Sequence, residues 1–463
     1  MRILQVNKYL YRRAGAEAYV LDWAELLIKH GQETGLWGTE AFPCHSEGAQ
    51  RLKNPVHKGT GSFASAQDDV VIFNDLLVEE RHFDQREGFW RDIKKVGHMI
   101  WSWESVRKFE EVLQRFKPDI VHIHNIYHHI SPSILPMAKR FGVPVVMTVH
   151  DYHLINPNYN LYDHGEICER KGIYAIAHKC IKDSYAASFA DVLEWGIHKM
   201  LRVYDNNVAR YVVPTEFVKE KLVEQGIGGR HIEVVPLPVI LNGVQCSEEF
   251  RANARDGRTY MRDSLLPAVA QNDSNGGYVL FAGRITREKG VYLLLEMAKK
   301  LPEMQFKIAG TGPELTNVKL KIKNEKLENI ELLGFLEKAE LREIIDGARL
   351  VAVPSLWPEP SPFAVLEAQA AGKVVLASRI GGIQNLIEDG KTGFLVTIRK
   401  YENTTKSTKL FKDWVDKVRE IYYDETRLKQ IGQAAREYIK KTHDPEEHYA
   451  ALFKVYKEVT RND

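Results

Sequence analysis

Apolar runs and amphipathic stretches alternate along the chain in a pattern that occurs twice. MRILQVN opens as a buried strand, and AGAEAYVLDWAELLIKHG follows with helical periodicity closed by Gly31, so the first unit reads strand, glycine turn, helix. KPDIVHIHN (117–125), GVPVVMTVHD (142–151) and ARYVVPT (209–215) are further strand candidates separated by helical stretches. The alternation restarts with GYVLFAGRI (277–285), MQFKIAG (304–310), NIELLGF (329–335), LVAVPS (350–355), KVVLAS (373–378) and GFLVTI (393–398). Strands that alternate with helices predict parallel sheets with crossover connections, here an α/β chain of two doubly wound domains. The expected boundaries are residues 1–240, a link over 241–276, a second domain over 277–445, and a terminal amphipathic helix over 446–463 that packs back on the first domain.

Two polar, weakly periodic stretches interrupt this pattern, residues 43–69 and 246–276, both longer than most loops of compact domains. Each begins with Cys and Ser-Glu close together and ends in small apolar residues before Ala-Gln-(Asp/Asn)-Asp, so they read as related insertions, the first over about 44–69.

Composition narrows the function class. With 463 residues, 44% hydrophobic and 27% charged, the chain is too long for one ordinary core and has a normal globular balance. A formal net charge of +2, with no basic run interleaved with aromatics, argues against nucleic acid as a partner. No apolar run is long enough for a membrane span or a signal peptide, so the expected location is cytoplasmic. Four cysteines (Cys44, Cys168, Cys180, Cys246) without a CxxC pair argue against a disulfide framework or a zinc site.

The stretch WPEPSPFAVLEAQAAGK (357–373) carries two glutamates in different settings. Pro360 and Pro362 keep Glu359 on a loop, whereas FAVLEAQAA is good helix sequence ended by Gly372, which puts Glu367 inside a helix. Preceded by LVAVPS, the unit is strand, loop, helix, and ligands of open α/β sheets bind at that carboxyl edge. In FAGRITREKG (281–290), Arg284 and Lys289 leave a strand end, and two cations there suit a diphosphate: arginine offers a planar fork of donors, lysine a compact charge. Gly15 lies at a helix start, where free N–H groups favour an anion. His122, His124 and His150 lie on strands or strand ends, where histidines more often hydrogen-bond a substrate or the backbone than bind metal. The chain has no Asp-x-Asp, and no metal or cofactor is expected.

Taken in order, these pieces resemble the retaining glycosyltransferases of family 4, of GT-B fold: GR-x4-K (Arg284, Lys289), AGTGPE (309–314), VPSLWPEP (353–360), the Glu359/Glu367 pair, and GGI-x-N-LIEDG-x-TGFLV, with AGAE (14–17), PDIVHIHN and VHDYHLINP in the first half. The resemblance implies two Rossmann-like domains facing a deep cleft. It implies transfer of a hexose from a nucleotide-diphosphate sugar to a saccharide or lipid-linked acceptor in surface polysaccharide synthesis. The acceptor class brings in peripheral association with the inner membrane face. By the same implication, Arg284 and Lys289 hold the diphosphate with Gly15 closing on it, and Glu359 and His150 lie beside the donor sugar. Glu367 accepts from the ribose hydroxyls, and Gly310, Ser361, Pro362, Phe363 and Ala364 complete the donor pocket. Two other readings stay open: a nucleotide-sugar epimerase of the same fold, and a non-catalytic sugar-nucleotide-binding protein.

Overall fold

In the computed structural model, which describes residues 1–12, 14–39, 70–81, 88–240, 277–398 and 407–461, the repeated pattern becomes two parallel sheets. Residues 44–69 and the link over 241–276, where the insertions are expected, lie outside the described residues.

The N-terminal sheet is built from β1 (Arg2–Val6), β2 (Glu33–Trp37), β3 (Val71–Ile72), β4 (Ile120–Ile123) and β5 (Val145–Thr148). After a small hairpin of β6 (Tyr162–Asp163) and β7 (Glu166–Ile167), it is completed by β8 (Arg210–Val213) and β9 (Ile232–Val234), in the order β3-β2-β1-β4-β5-β8-β9. Its central strands are buried almost throughout and mostly apolar, as strands covered on both faces must be. The C-terminal sheet contains β10 (Tyr278–Ala282), β11 (Gln305–Ala309), β12 (Ile330–Gly334), β13 (Ala348–Val353), β14 (Val374–Ser378) and β15 (Phe394–Val396), in the order β12-β11-β10-β13-β14-β15. In each sheet the strand order reverses once, between β1 and β4 and between β10 and β13. Crevices open at such points beyond the carboxyl ends of the strands.

The C-terminal helices tie the halves together. The Glu425–Thr442 helix packs against the Phe363–Ala370 helix, its Gly432 close to the carbonyl of Gly372. At His443 the chain crosses over: Nδ1 bonds the Leu237 carbonyl at 2.7 Å, and the His443 carbonyl accepts from the Val239 N–H. The Pro445–Arg461 helix then lies on the N-terminal domain, where Trp23 Nε1 donates to Tyr456 Oη at 3.0 Å and Tyr19 Oη meets His448 Nε2 at 3.0 Å. One apolar cluster runs from Ile3 and Trp23 through Leu452 and Tyr456 to Val365 and Leu366, so both domains share it.

Candidate active site

The loops that leave β10 and β13, at the C-terminal switch point, carry the central side chains. Beyond Ala282 the chain turns through Gly283 into the loop bearing Arg284 and Lys289. The loop after β11 presses against it. A Cβ at Gly310 would fall 1.9 Å from the Gly283 carbonyl oxygen, so only glycine lets the two backbones meet. Arg284 is left at the rim with 50% of its side chain in solvent and Nη2 3.6 Å from Glu288 Oε1. Lys289 turns inward, where Nζ donates to Glu359 Oε2 at 2.5 Å and lies over the Trp357 ring, 5.4 Å from its centroid.

Glu359 is 3% exposed, and a carboxylate so far from water requires partners. Lys289 is one, and the Ser355 hydroxyl, which donates to Oε1, is another. The loop backbone is held as well: the Glu359 carbonyl accepts from the Gly382 N–H at 2.7 Å. The opposite domain reaches across to the same loop. Tyr152, just beyond β5, donates its hydroxyl to the Pro358 carbonyl at 2.5 Å, and Thr215, just beyond β8, donates to the Pro360 carbonyl at 3.0 Å. The Phe217 N–H donates to Asn385 Oδ1 at 3.2 Å. Ser361 Oγ is buried and finds no partner among the described residues. Pro362 caps the Phe363–Ala370 helix without a side-chain hydrogen bond, leaving the first-turn N–H groups to whatever fills the cleft. Phe363 and Ala364 are half-buried on that turn, and a Cβ at Gly15 would lie 2.7 Å from Phe363 Cδ2. Gly15, the first residue of the Gly15–Lys29 helix, is therefore where the two domains come closest at this turn.

Glu367 lies one to two turns further along its helix and is half-buried. Burial pushes its pKa up to about 7, with Lys338 opposing the shift and Asp22 adding to it. Those two neighbours form an ion pair between the domains, Lys338 Nζ to Asp22 Oδ2 at 3.2 Å, and Arg12 also holds Asp22.

His150 stands apart from this group. Its Nε2 meets His124 Nδ1 at 3.1 Å and its ring lies edge-on to Tyr19, so its contacts are all within the N-terminal domain. Burial lowers its pKa to about 3, which keeps it neutral. His122 and His124 bond neighbouring side chains, His122 to Thr148 and Tyr456 and His124 to Gln5.

The structure thus brings together Lys289, Glu359, Ser361, Pro362, Phe363, Ala364 and Gly15, sets Arg284 on the adjoining rim and Gly310 beneath it, and holds His150 against His124 and Tyr19, two residues before Tyr152 at the carboxyl end of β5. Sequence reasoning did not single out Tyr152, Thr215, Asp22 or Lys338. Tyr152 and Thr215 follow apolar strand runs, a signal that could have marked them; Asp22 and Lys338 meet only through the fold. Among the described residues two groups have potential ligand atoms within 4.8 Å of one another, Asp163 with Cys168 and Cys180, and His128 with Asp191 and Glu194. The sulfurs of Cys168 and Cys180, 12 residues apart in the sequence, lie 3.5 Å from each other.

Residues 13–242 match the family model described as Glycosyltransferase Family 4, and residues 265–438 match Glycosyl transferases group 1. A Klebsiella pneumoniae protein described as an uncharacterized 42.6 kDa protein in the cps region is 28% identical over 83% of this chain and 87% of its own length. The Arabidopsis thaliana sulfoquinovosyl transferase SQD2 is 28% identical over 70% of this chain and 54% of its own. Among solved structures, sucrose-phosphate synthase from Thermosynechococcus elongatus superposes with a TM-score of 0.66 at 15% identity, covering all of both chains. Anabaena HepE in complex with UDP and glucose gives 0.61 at 15% identity, covering 99% of this chain and 100% of its own.

Proposed function

The chain belongs to the family 4 glycosyltransferases and has their GT-B fold, and from that premise we propose that it moves a hexose from a nucleotide-diphosphate sugar to a saccharide or lipid-linked acceptor with retention of configuration. The observation that carries the reading is the Lys289–Glu359 pair at the C-terminal switch point, roofed by Tyr152 and Thr215 of the facing domain. The SQD2 relative is a sugar transferase by its name, and the HepE neighbour is described with UDP and glucose, which makes a nucleotide-sugar the donor class of choice.

In this proposal the donor's diphosphate lies along the loop after β10. Arg284 and Lys289 offset the charge that develops on the departing phosphate as the bond to the anomeric carbon breaks, which is the work a metal ion does in other transferases. The acceptor hydroxyl forms the new bond to that carbon and gives up its proton to the departing phosphate oxygen. Glu359 orients the sugar from a site already desolvated, while Ser361 Oγ and the first-turn N–H groups near Phe363 and Ala364 supply donors. Glu367 takes the ribose hydroxyls. Neutral His150, at the carboxyl end of β5, lies beside the donor sugar as a hydrogen-bonding partner.

The test begins with a melting-temperature screen of UDP-, GDP- and ADP-sugars. A donor at about 100 times its dissociation constant stabilises the fold by roughly 2.7 kcal/mol. Proton NMR of the product made from that donor then reads the anomeric configuration. Retention is the expected result; an inverted product refutes the mechanism.

A further inference from the structure

The inner face of the Tyr185–Met200 helix is polar, where a helix packed on a domain ordinarily turns an apolar stripe inward. Its buried side chains are Ser188, Asp191, Glu194 and His198. Ser188 serves the backbone, its Oγ accepting from the Ile181 N–H at 3.1 Å. Glu194 is wholly buried and Asp191 is 9% exposed, so two carboxylates one turn apart are held out of water. Carboxylates in that position need a compensating charge and hydrogen bonds. Among the described residues no lysine or arginine lies within ion-pair distance of either, and neither Glu194 oxygen has a hydrogen bond. Lys8 and Lys182 act on the cluster only from further away.

Imidazoles surround the pair instead. His128 Nδ1 lies 3.1 Å from Glu194 Oε2, and His153 Nε2 and His198 Nδ1 each lie 3.7 Å from Oε1. The tautomer of His198 follows from its other side: Nε2 is 2.8 Å from the Ile100 carbonyl, which can only accept, so in the neutral ring Nε2 carries the proton and Nδ1 a lone pair. A lone pair beside a carboxylate oxygen calls for a cation between them. An imidazole anchored to a backbone carbonyl through its second nitrogen is also how metal-binding histidines are held. His128 Nδ1 and one oxygen each of Asp191 and Glu194 lie within 4.8 Å of one another, so small side-chain shifts bring all three onto one ion. The group of Asp163, Cys168 and Cys180 differs, because cations of the chain already serve it. Arg170 Nη1 stands 3.6 Å from Cys168 Sγ and 4.0 Å from Asp163 Oδ2, and His164 Nδ1 stands 2.7 Å from Asp163 Oδ1.

We propose that His128, Asp191 and Glu194 hold one Zn²⁺ ion, the divalent metal that mixed imidazole and carboxylate ligands suit, with His153 and His198 beside it on the Oε1 side of Glu194. The ion ties the helix to the loop after β4, which carries His128, and to the loop after β5, where His153 follows Tyr152, the residue that clamps the Pro358 carbonyl of the facing domain. Its role is structural. None of its ligands is among the residues placed on the donor, so the charge of the departing phosphate stays with Arg284 and Lys289. The sequence expectation of no metal rested on the lack of Asp-x-Asp and on His122, His124 and His150. These ligands come instead from a loop and a distant helix, which no local spacing joins.

The experiment is metal analysis of the untagged full chain, then prolonged dialysis against a zinc chelator and calorimetric titration with Zn²⁺. One zinc per chain is expected, and its removal should lower the melting temperature, which Zn²⁺ restores and Mg²⁺ does not. His128→Gln, at the partly exposed rim, should fold and bind zinc about tenfold more weakly or worse. Glu194→Gln should carry none, and Cys168→Ser with Cys180→Ser should still carry one. With Co²⁺ in place of zinc, the spectrum should show d–d absorption without a thiolate charge-transfer band. The proposal is overturned if the chain neither retains nor takes up Zn²⁺, which would leave histidine protons to neutralise Glu194. It is equally overturned if the cysteine variant loses the ion, if the Co²⁺ form shows a thiolate band, if His128→Gln binds zinc as the parent does, or if Mg²⁺ serves as well. Zinc binding without donor binding sinks the transferase reading alone; donor binding without zinc binding sinks the metal site alone.

Discussion

Arg284 and Lys289 share a loop but not an environment, and the difference decides what each can do. Lys289 is half-buried and paired with Glu359, so it acts from a fixed position, whereas Arg284 is half in water and free to swing onto an arriving diphosphate. Replacing either by alanine is expected to lower turnover by roughly 10²–10³, the scale for losing one preorganised charge-stabilising donor. Lys289→Ala should also destabilise the fold, because Glu359 is left buried without its cation. Steady-state kinetics and denaturant unfolding on both variants check this. Glu367 gives a second prediction at this scale. Its pKa, raised to about 7, means the folded state binds more protons than the unfolded state between the ordinary carboxylate range and neutrality, so its contribution to stability falls as pH rises through that window. Glu367→Gln should raise the melting temperature at pH 8 more than at pH 5. Glu367→Ala should raise KM for the donor more than it lowers kcat, since a ribose contact is made in ground and transition states alike. An unchanged melting difference between the two pH values would refute the buried-carboxylate reading.

At the scale of elements, the loop after β13 is clamped by the opposite domain. Tyr152→Phe removes one hydrogen bond and leaves the buried Pro358 carbonyl unpaired, a cost of about 1–3 kcal/mol. Calorimetric unfolding should register it, and turnover should fall with it as the loop loosens. How much of this was legible follows from the same elements. β10, β13 and β14 are dense apolar runs between helical stretches and could be read from periodicity, as could the helix from Phe363 to its stop at Gly372, whose φ is +73°. β3 is two residues at the sheet edge with Val71 exposed, and β9 is only Ile-Glu-Val at the other edge, too short to carry a period. The clamp itself was illegible. Tyr152 and Pro358 are 206 residues apart, and Asp22 and Lys338 are 316 apart, so no local pattern links them. The Tyr185–Met200 helix was hidden for another reason: its buried positions are Ser188, Asp191, Glu194 and His198, and its apolar stripe looks like that of any amphipathic helix until the structure shows which side faces the core.

For the whole molecule, the facing switch points, the crossing at His443 and the apolar cluster shared by both domains make one cleft between two sheets. If Arg284 and Lys289 carry the charge of the departing phosphate, transfer should continue in excess EDTA; activity lost with EDTA and restored by Mg²⁺ or Mn²⁺ would assign that work to a metal instead. The most direct measurement is isothermal titration of UDP-, GDP- and ADP-sugars into the parent chain and into Lys289→Ala and Arg284→Ala. One donor should bind the parent at one per chain and bind each variant at least tenfold more weakly. Absence of binding by every donor, or affinity unchanged in both variants, would contradict the account.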